Sequence, residues 1–113
     1  MEAAIRAIAE PRRREILRLV WNHELPSGKI AAHFEVTRPA ISQHLRILKN
    51  AGLVTERRAG TRRFYRTRPK TLADLRAFLQ RFWDERLEGL KREAEREERR
   101  QPRHGRRGEP RRA

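Results

Sequence analysis

Cysteine is absent from this 113-residue chain, which excludes disulfides, a thiolate redox switch and thiolate metal ligation. No apolar run approaches the roughly 18 residues that a membrane-spanning helix needs. The opening Met1-Glu2-Ala3-Ala4-Ile5-Arg6 lacks the basic start and apolar stretch of a secretory signal. A cytoplasmic protein with no membrane association is therefore expected. Glycine-rich phosphate loops, a Ser/His/Asp set and paired carboxylates in an apolar setting are also missing. An enzyme is accordingly not expected. The most telling shortage is of acid: 15 Asp and Glu stand against 29 Lys and Arg, a formal charge of +14. Such a surplus concentrates polyanions around a protein, and nucleic acid is the default partner. Arginine supplies most of it, and its planar fork suits phosphate and guanine better than an ammonium does.

The length allows one domain with a modest core. Ala3 to Ala9 reads as a short helix with Ile5 and Ile8 on one side. Pro11 then fits an early helical position, and Ile16, Leu17, Val20 and Trp21 recur at helical spacing between Arg12 and His23. Leu25-Pro26-Ser27 breaks that helix, and a short one follows through Phe34 with Ile30 and Phe34 inward. Thr37 is a good N-cap for a helix running to about Asn50, with Pro39 in its first turn and Ala51-Gly52 ending it. Leu53-Val54-Thr55 and residues 63–67 read as strands around a tip at Arg57 to Arg63 that contains Gly60. Thr71, with Asp74 three residues on, reads as the cap of a long final helix. Alternating Glu and Arg from Lys91 to Arg100 can prolong it.

Two of these segments carry function. Projected as a helix, residues 38–50 gather Ile41, Leu45 and Leu48 on one side and Ser42, Gln43, Arg46 and Asn50 on the other, with Arg38 at the exposed N-terminal end. Gln, Arg and Ser are residue types that read base edges in a major groove about 12 Å wide. The hairpin adds Arg57, Arg58, Arg62, Arg63, Arg66 and Arg68, with Glu56 as the one acid nearby. A wing lying along phosphates or in the minor groove needs that pattern. The expected fold is mainly α with a small β-hairpin, a winged helix-turn-helix that binds double-stranded DNA. Its expected contacts are Thr37, Arg38, Ser42, Gln43, His44, Arg46, Arg57, Arg58, Arg62 and Arg63. The final helix carries an apolar stripe too rich for a solvated surface, comprising Leu72, Leu75, Phe78, Leu79, Phe82, Trp83, Leu87 and Leu90. Left uncovered, such a stripe marks an interface.

The segment Ala7-Ile8-Ala9-Glu10-Pro11-Arg12-Arg13-Arg14-Glu15-Ile16-Leu17 resembles the opening of ArsR/SmtB-type repressors. Residues 39–54, with Ser42-Gln43-His44-Leu45 and Ala51-Gly52-Leu53-Val54, resemble their recognition helix and its exit, and residues 57–65 their wing. The resemblance covers about residues 3–90. It implies a homodimer on an inverted-repeat operator, acting as a transcriptional repressor and joined through its first and last helices. Ile5, Ile8, Leu75, Phe78, Leu79, Phe82, Trp83, Leu87 and Leu90 then form the dimer interface. Family metal sites do not carry over. The stretch 24–30 has no Cys, and the last helix has Asp74, Asp84, Glu85 and Glu88 but no His, a poor donor set for a transition metal. No metal and no cofactor are expected, and a small-molecule or protein effector stays open.

Residues 1–98 are expected to form the DNA-binding and dimerisation domain, and 99–113 an Arg-rich disordered tail. The alternatives are a nucleoid-type or RNA-binding winged-helix protein without operator specificity, and a protein-interaction module whose last helix docks a different partner.

Overall fold

The computed structural model describes residues 1–100; the disordered tail expected over Gln101 to Ala113 lies outside them. The chain divides after Arg76 into two units.

The first unit begins with α1 (Glu2–Ile8) and α2 (Pro11–Leu19). Glu10 caps α2 by accepting the Arg12 N–H at 2.7 Å, and Pro11 follows at the first turn, where its missing donor costs nothing. Ile16, Leu17 and Val20 are buried as the spacing predicts, but the helix stops at Leu19 instead of reaching His23. Backbone contacts from the sheet take over there. The Thr67 N–H donates to the Val20 carbonyl at 3.0 Å, and its hydroxyl donates to that of Leu17 at 3.3 Å. Trp21, expected on the buried stripe, is consequently 50% exposed.

A strand absent from the sequence reading comes next. β1 (Leu25–Pro26) pairs antiparallel with the return strand of the hairpin, Leu25 opposite Tyr65 and Pro26 opposite Phe64. Proline is tolerated on this edge, where a lost ladder donor faces no partner strand. The short helix α3 (Ser27–Ala31) buries Ile30 and ends before Phe34, which is half-buried with the Arg12 guanidinium 5.6 Å from its ring centre.

The helix α4 (Arg38–Asn50) starts as expected: the Thr37 hydroxyl accepts the Ala40 N–H at 3.3 Å. Its end is closed by two backbone bonds, Gly52 N–H to the Lys49 carbonyl and Leu53 N–H to that of Leu48, both 2.9 Å. That pairing requires a left-handed residue, supplied by Gly52 at φ 78°. Ile41, Leu45 and Leu48 join Ile16, Val20, Ile30, Leu53 and Val54 in the fully enclosed part of the core. Ala4 and Ala7 are the buried residues of α1, while Ile5 and Ile8 pack half-covered at the rim of that core.

The hairpin is tighter than expected. β2 (Val54–Ala59) and β3 (Arg62–Thr67) pair from Val54 opposite Thr67 to Ala59 opposite Arg62, leaving only Gly60 and Thr61 in the turn. Gly60, at φ 63°, meets the demand of a two-residue turn for a positive φ. The result is a three-stranded antiparallel sheet in the order β1-β3-β2.

The last helix, α5 (Pro69–Arg100), begins two residues before its expected cap. Pro69 takes the first helical position, and Thr71 lies inside the first turn. Lys70 pairs with Asp74 at 3.3 Å in place of the expected capping box. Leu75 is buried in the first unit's core.

The second unit, from Ala77 onward, is the rest of α5. Phe78 is half-buried, while Leu79, Phe82, Trp83, Leu87 and Leu90 are exposed. Beyond Leu90 the helix is held by pairs along its own surface: Arg92 with Glu88 at 3.8 Å, Arg96 with Glu93, and Arg100 with Glu97 at 2.8 Å. The helix runs on through Arg100, as the alternating Glu and Arg from Lys91 predict, past the domain boundary expected after residue 98. No helix among the described residues is long and apolar enough to cross a membrane.

Candidate nucleic-acid interface

With Ile41, Leu45 and Leu48 fixed inside, α4 has one face left for solvent. Arg38, Ser42, Gln43, Arg46, Lys49 and Asn50 are all exposed. The Arg46 guanidinium donates to the Gln43 side-chain oxygen at 2.9 Å. That bond orients the two side chains together and leaves the Gln43 NH2 and the remaining Arg46 N–H groups to donate elsewhere. Thr37 is exposed at the head of this face, with its hydroxyl engaged as the cap.

His44 departs from this set. It is half-buried on the flank of the helix, its Nδ1 3.3 Å from Arg13 Nη1. Arg13 in turn donates to the α1 carbonyls of Ala7 at 2.7 Å and Arg6 at 3.3 Å. Burial, and then the Arg13 charge, hold the imidazole below its ordinary pKa. Neutral His44 thus accepts from Arg13 and joins α4 to α1 and α2.

Strand alternation divides the wing arginines. The register puts Val54, Glu56 and Arg58 on one face with Thr67, Tyr65 and Arg63, and Thr55, Arg57 and Ala59 on the other with Arg66, Phe64 and Arg62. The first face is tied to α4, because Glu56 accepts from Lys49 Nζ at 2.8 Å. It also accepts from the Tyr65 hydroxyl at 2.9 Å and lies 3.5 Å from Arg63. The Lys49 bond, opposed by burial and aided by Tyr65, keeps the Glu56 carboxyl below the usual carboxylate range. Tyr65 is pushed upward by its own burial and by Glu56. A cleft of about 340 Å³ opens here, lined by Ser42, Arg46 and Lys49 of the helix, Glu56, Arg63 and Tyr65 of the hairpin, and Ser27.

On the second face Arg57 is not available as expected. It makes a two-pronged bond to Glu24, with Nε at 2.9 Å and Nη2 at 2.8 Å, and its guanidinium lies 4.7 Å from the Phe64 ring centre. Arg57 therefore straps the wing to the chain before β1. Glu24 lies 33 residues from Arg57 in the sequence, and the pairing of β1 with β3 brings it close. Arg62 lies 5.0 Å from the same ring centre and reaches the hairpin tip. There a second cleft of about 270 Å³ collects four cations, Lys29, Arg38, Arg62 and Arg63, beside Ser27 and Thr61. Lys29 and Ser27 were missed by sequence. Their signal was a cation and a hydroxyl at the start of the helix that precedes the turn.

The site therefore gathers Arg38, Ser42, Gln43 and Arg46 on the helix, and Arg58, Arg62 and Arg63 on the wing, with Lys29 added. Arg57 and His44 are drawn off into structural contacts.

Residues 10–56 match the family model described as bacterial regulatory protein, arsR family. An HTH-type transcriptional regulator of Mycobacterium tuberculosis is 46% identical over 88 residues, which cover 78% of this chain and 82% of that protein. The chain belongs to the ArsR family.

ArsR-family proteins are transcriptional regulators, and this one is a DNA-binding regulator, not an enzyme. The transcriptional repressor SdpR of Bacillus subtilis is 38% identical over 74 residues, 66% of this chain and 82% of the repressor. Among solved structures, a homodimeric winged helix-turn-helix DNA-binding domain of Mycobacterium bovis, described as a possible ArsR-family regulator, is 36% identical. It superposes with a TM-score of 0.60 over 74% of this chain and 78% of its own. The winged helix-turn-helix architecture of this ArsR-family chain is thereby established, with a third strand added to the expected hairpin.

Proposed function

We propose that the protein is a homodimeric repressor that binds an inverted-repeat operator. Each α4 enters a major groove, and each wing follows the adjacent backbone or minor groove. The observation that carries this reading is the division of α4, whose apolar edge is locked in the core while Arg38, Ser42, Gln43 and Arg46 stay exposed. Ser42, Gln43 and Arg46 are assigned to base edges. Thr37, Arg38, Lys29, Arg58 and Arg62 are assigned to the sugar-phosphate backbone, which positions without specifying, while Arg63 lies 3.5 Å from the Glu56 carboxylate.

Two-fold pairing is supported by the exposed stripe Leu79, Phe82, Trp83, Leu87 and Leu90, and by the homodimeric relative. Ile5 and Ile8 add to the seam from α1, and Phe78 from α5; Leu75 contributes from beneath, as a core residue. Pairing sets two recognition helices about 34 Å apart, one DNA turn. Residues 1–98 form the DNA-binding and dimerisation domain, and the Arg-rich residues 99–113 add phosphate contacts of no sequence preference. The protein acts in the cytoplasm.

The test is competition binding with the promoter fragment that the purified protein recovers from its own genomic neighbourhood. Repression requires a preference over bulk DNA of about a thousandfold or more, with two chains per fragment in sedimentation. Equal affinity for all duplexes supports the nucleoid-type alternative and overturns the operator reading.

A further inference from the structure

We propose that Glu56 is an internal counter-anion of the helix-wing cleft, holding Lys49 and Arg63 away from DNA phosphates and so limiting attachment to duplex of any sequence. The inference rests on the DNA-binding reading above and concerns how strongly that surface is allowed to grip.

A carboxylate is out of place in a surface built for a polyanion, since at close range it repels every phosphate that enters. Glu56 is also well enclosed, with only 11% of its side chain exposed. Its two oxygens are fully engaged: Oε1 takes Lys49 Nζ at 2.8 Å, and Oε2 takes the Tyr65 hydroxyl at 2.9 Å with Arg63 at 3.5 Å. Tyr65 is itself buried, so a hydrogen bond from a core residue turns the carboxylate toward both cations. By contrast Lys29, Arg38, Arg46, Arg58 and Arg62 have no ion pair among the described residues. The interface thus contains two sets of cations, one open and one held.

The consequence follows from how DNA attachment depends on charge. Each phosphate neutralised by a cation releases condensed counterions, so the logarithm of affinity falls with the logarithm of salt by about 0.9 per contact. A lysine already paired with a carboxylate must break that pair to make such a contact, and gains little from the exchange. For a chain of net charge +14, every cation withheld in this way reduces retention by bulk DNA, where phosphate contact is nearly the whole of the binding.

The experiment measures affinity for a random-sequence duplex against salt concentration, using the full chain. Glu56→Gln keeps an acceptor for Tyr65 and removes the charge. It is expected to bind random duplex about tenfold more tightly at 0.1 M salt and to steepen the slope by about 1 to 2. Adding Lys49→Gln to that variant is expected to return about half or more of the gain. Glu56→Asp, one methylene short of Lys49, moves the slope the same way by a smaller amount, and serves if the first variant does not fold. An unchanged slope, or weaker binding, would mean that Glu56 merely props the wing or aims Lys49 at a phosphate, and overturns the inference. Wild-type protein that binds no duplex overturns this inference together with the reading beneath it; wild-type binding with an unmoved Glu56→Gln slope overturns this one alone.

Discussion

In α4 the residues Ile41, Leu45 and Leu48 are closed off from solvent, whereas along α5 Leu79, Phe82, Trp83, Leu87 and Leu90 remain open, Trp83 by 60% and Leu90 by 65%. Both helices carry an apolar stripe at helical spacing. What separates them is whether the rest of the chain supplies a cover. α4 is clasped by α1, α2, α3 and the hairpin, so its polar face is presented at a fixed angle. In α5 the change comes within a single turn, between Leu75 at 4% exposure and Leu79 at 39%. On the reading proposed above, the stripe covered by its own chain supports a reading head, and the exposed one is assigned to a second copy.

The comparison predicts opposite outcomes for one chemical change made in both helices. Leu45→Ala removes a fully buried side chain and is expected to lower folding stability by about 2–5 kcal/mol, at every protein concentration in denaturant unfolding. Leu87→Ala is expected to leave dilute protein as stable as wild type. Its effect is expected in sedimentation, as dimer dissociation raised about tenfold to a hundredfold, the value of a leucine buried at an interface. Equal destabilisation of dilute protein by the two variants would break the distinction between the helices.

A smaller effect sharpens the account of α4's covered flank. Burial first, and then the charges of Arg13 and Arg12 against the opposing Glu10, lower the His44 pKa from its ordinary 6.5. Because the folded state binds this proton less readily than the unfolded chain, the contribution is full above about pH 6.5 and is lost as pH falls through the folded-state value. The carboxylates Glu10, Glu24 and Glu56, lowered from 4.5, lose theirs only at more acid pH. Denaturation midpoints are therefore expected to drop modestly between pH 7.5 and pH 5.5 in wild type and to stay flatter in His44→Gln. Identical pH profiles would remove His44 from the α1–α4 contact.

Much of this was legible in the chain itself. The apolar spacing of α4, its threonine cap and its glycine exit are local signals, each acting within a few residues, and each is found where the spacing predicts. The start of α5 at Pro69 is a local difference of two residues, and the larger differences lie where a distant segment decides. Thr67 reaches back to Leu17 and Val20 and ends α2 early, exposing Trp21. The two residues of β1 are too short to show a period, yet they bring Glu24 to Arg57. His44 sits at the edge of the polar arc in projection, and only the path of Arg13 across the α1 carbonyls draws it inward. Among the arginines, a run of like charge predicts a basic hairpin but not which members are held by carboxylates.

The central claim, that the polar face of α4 reads bases, is tested most directly by selecting binding sites from randomised duplexes with wild type, Ser42→Ala and Gln43→Ala. Each substitution is expected to relax preference at one or two positions per half-site, by about 1–3 kcal/mol for each lost base contact, and to leave the other positions and the salt slope as they were. Undiminished preference at every position in both variants would contradict it.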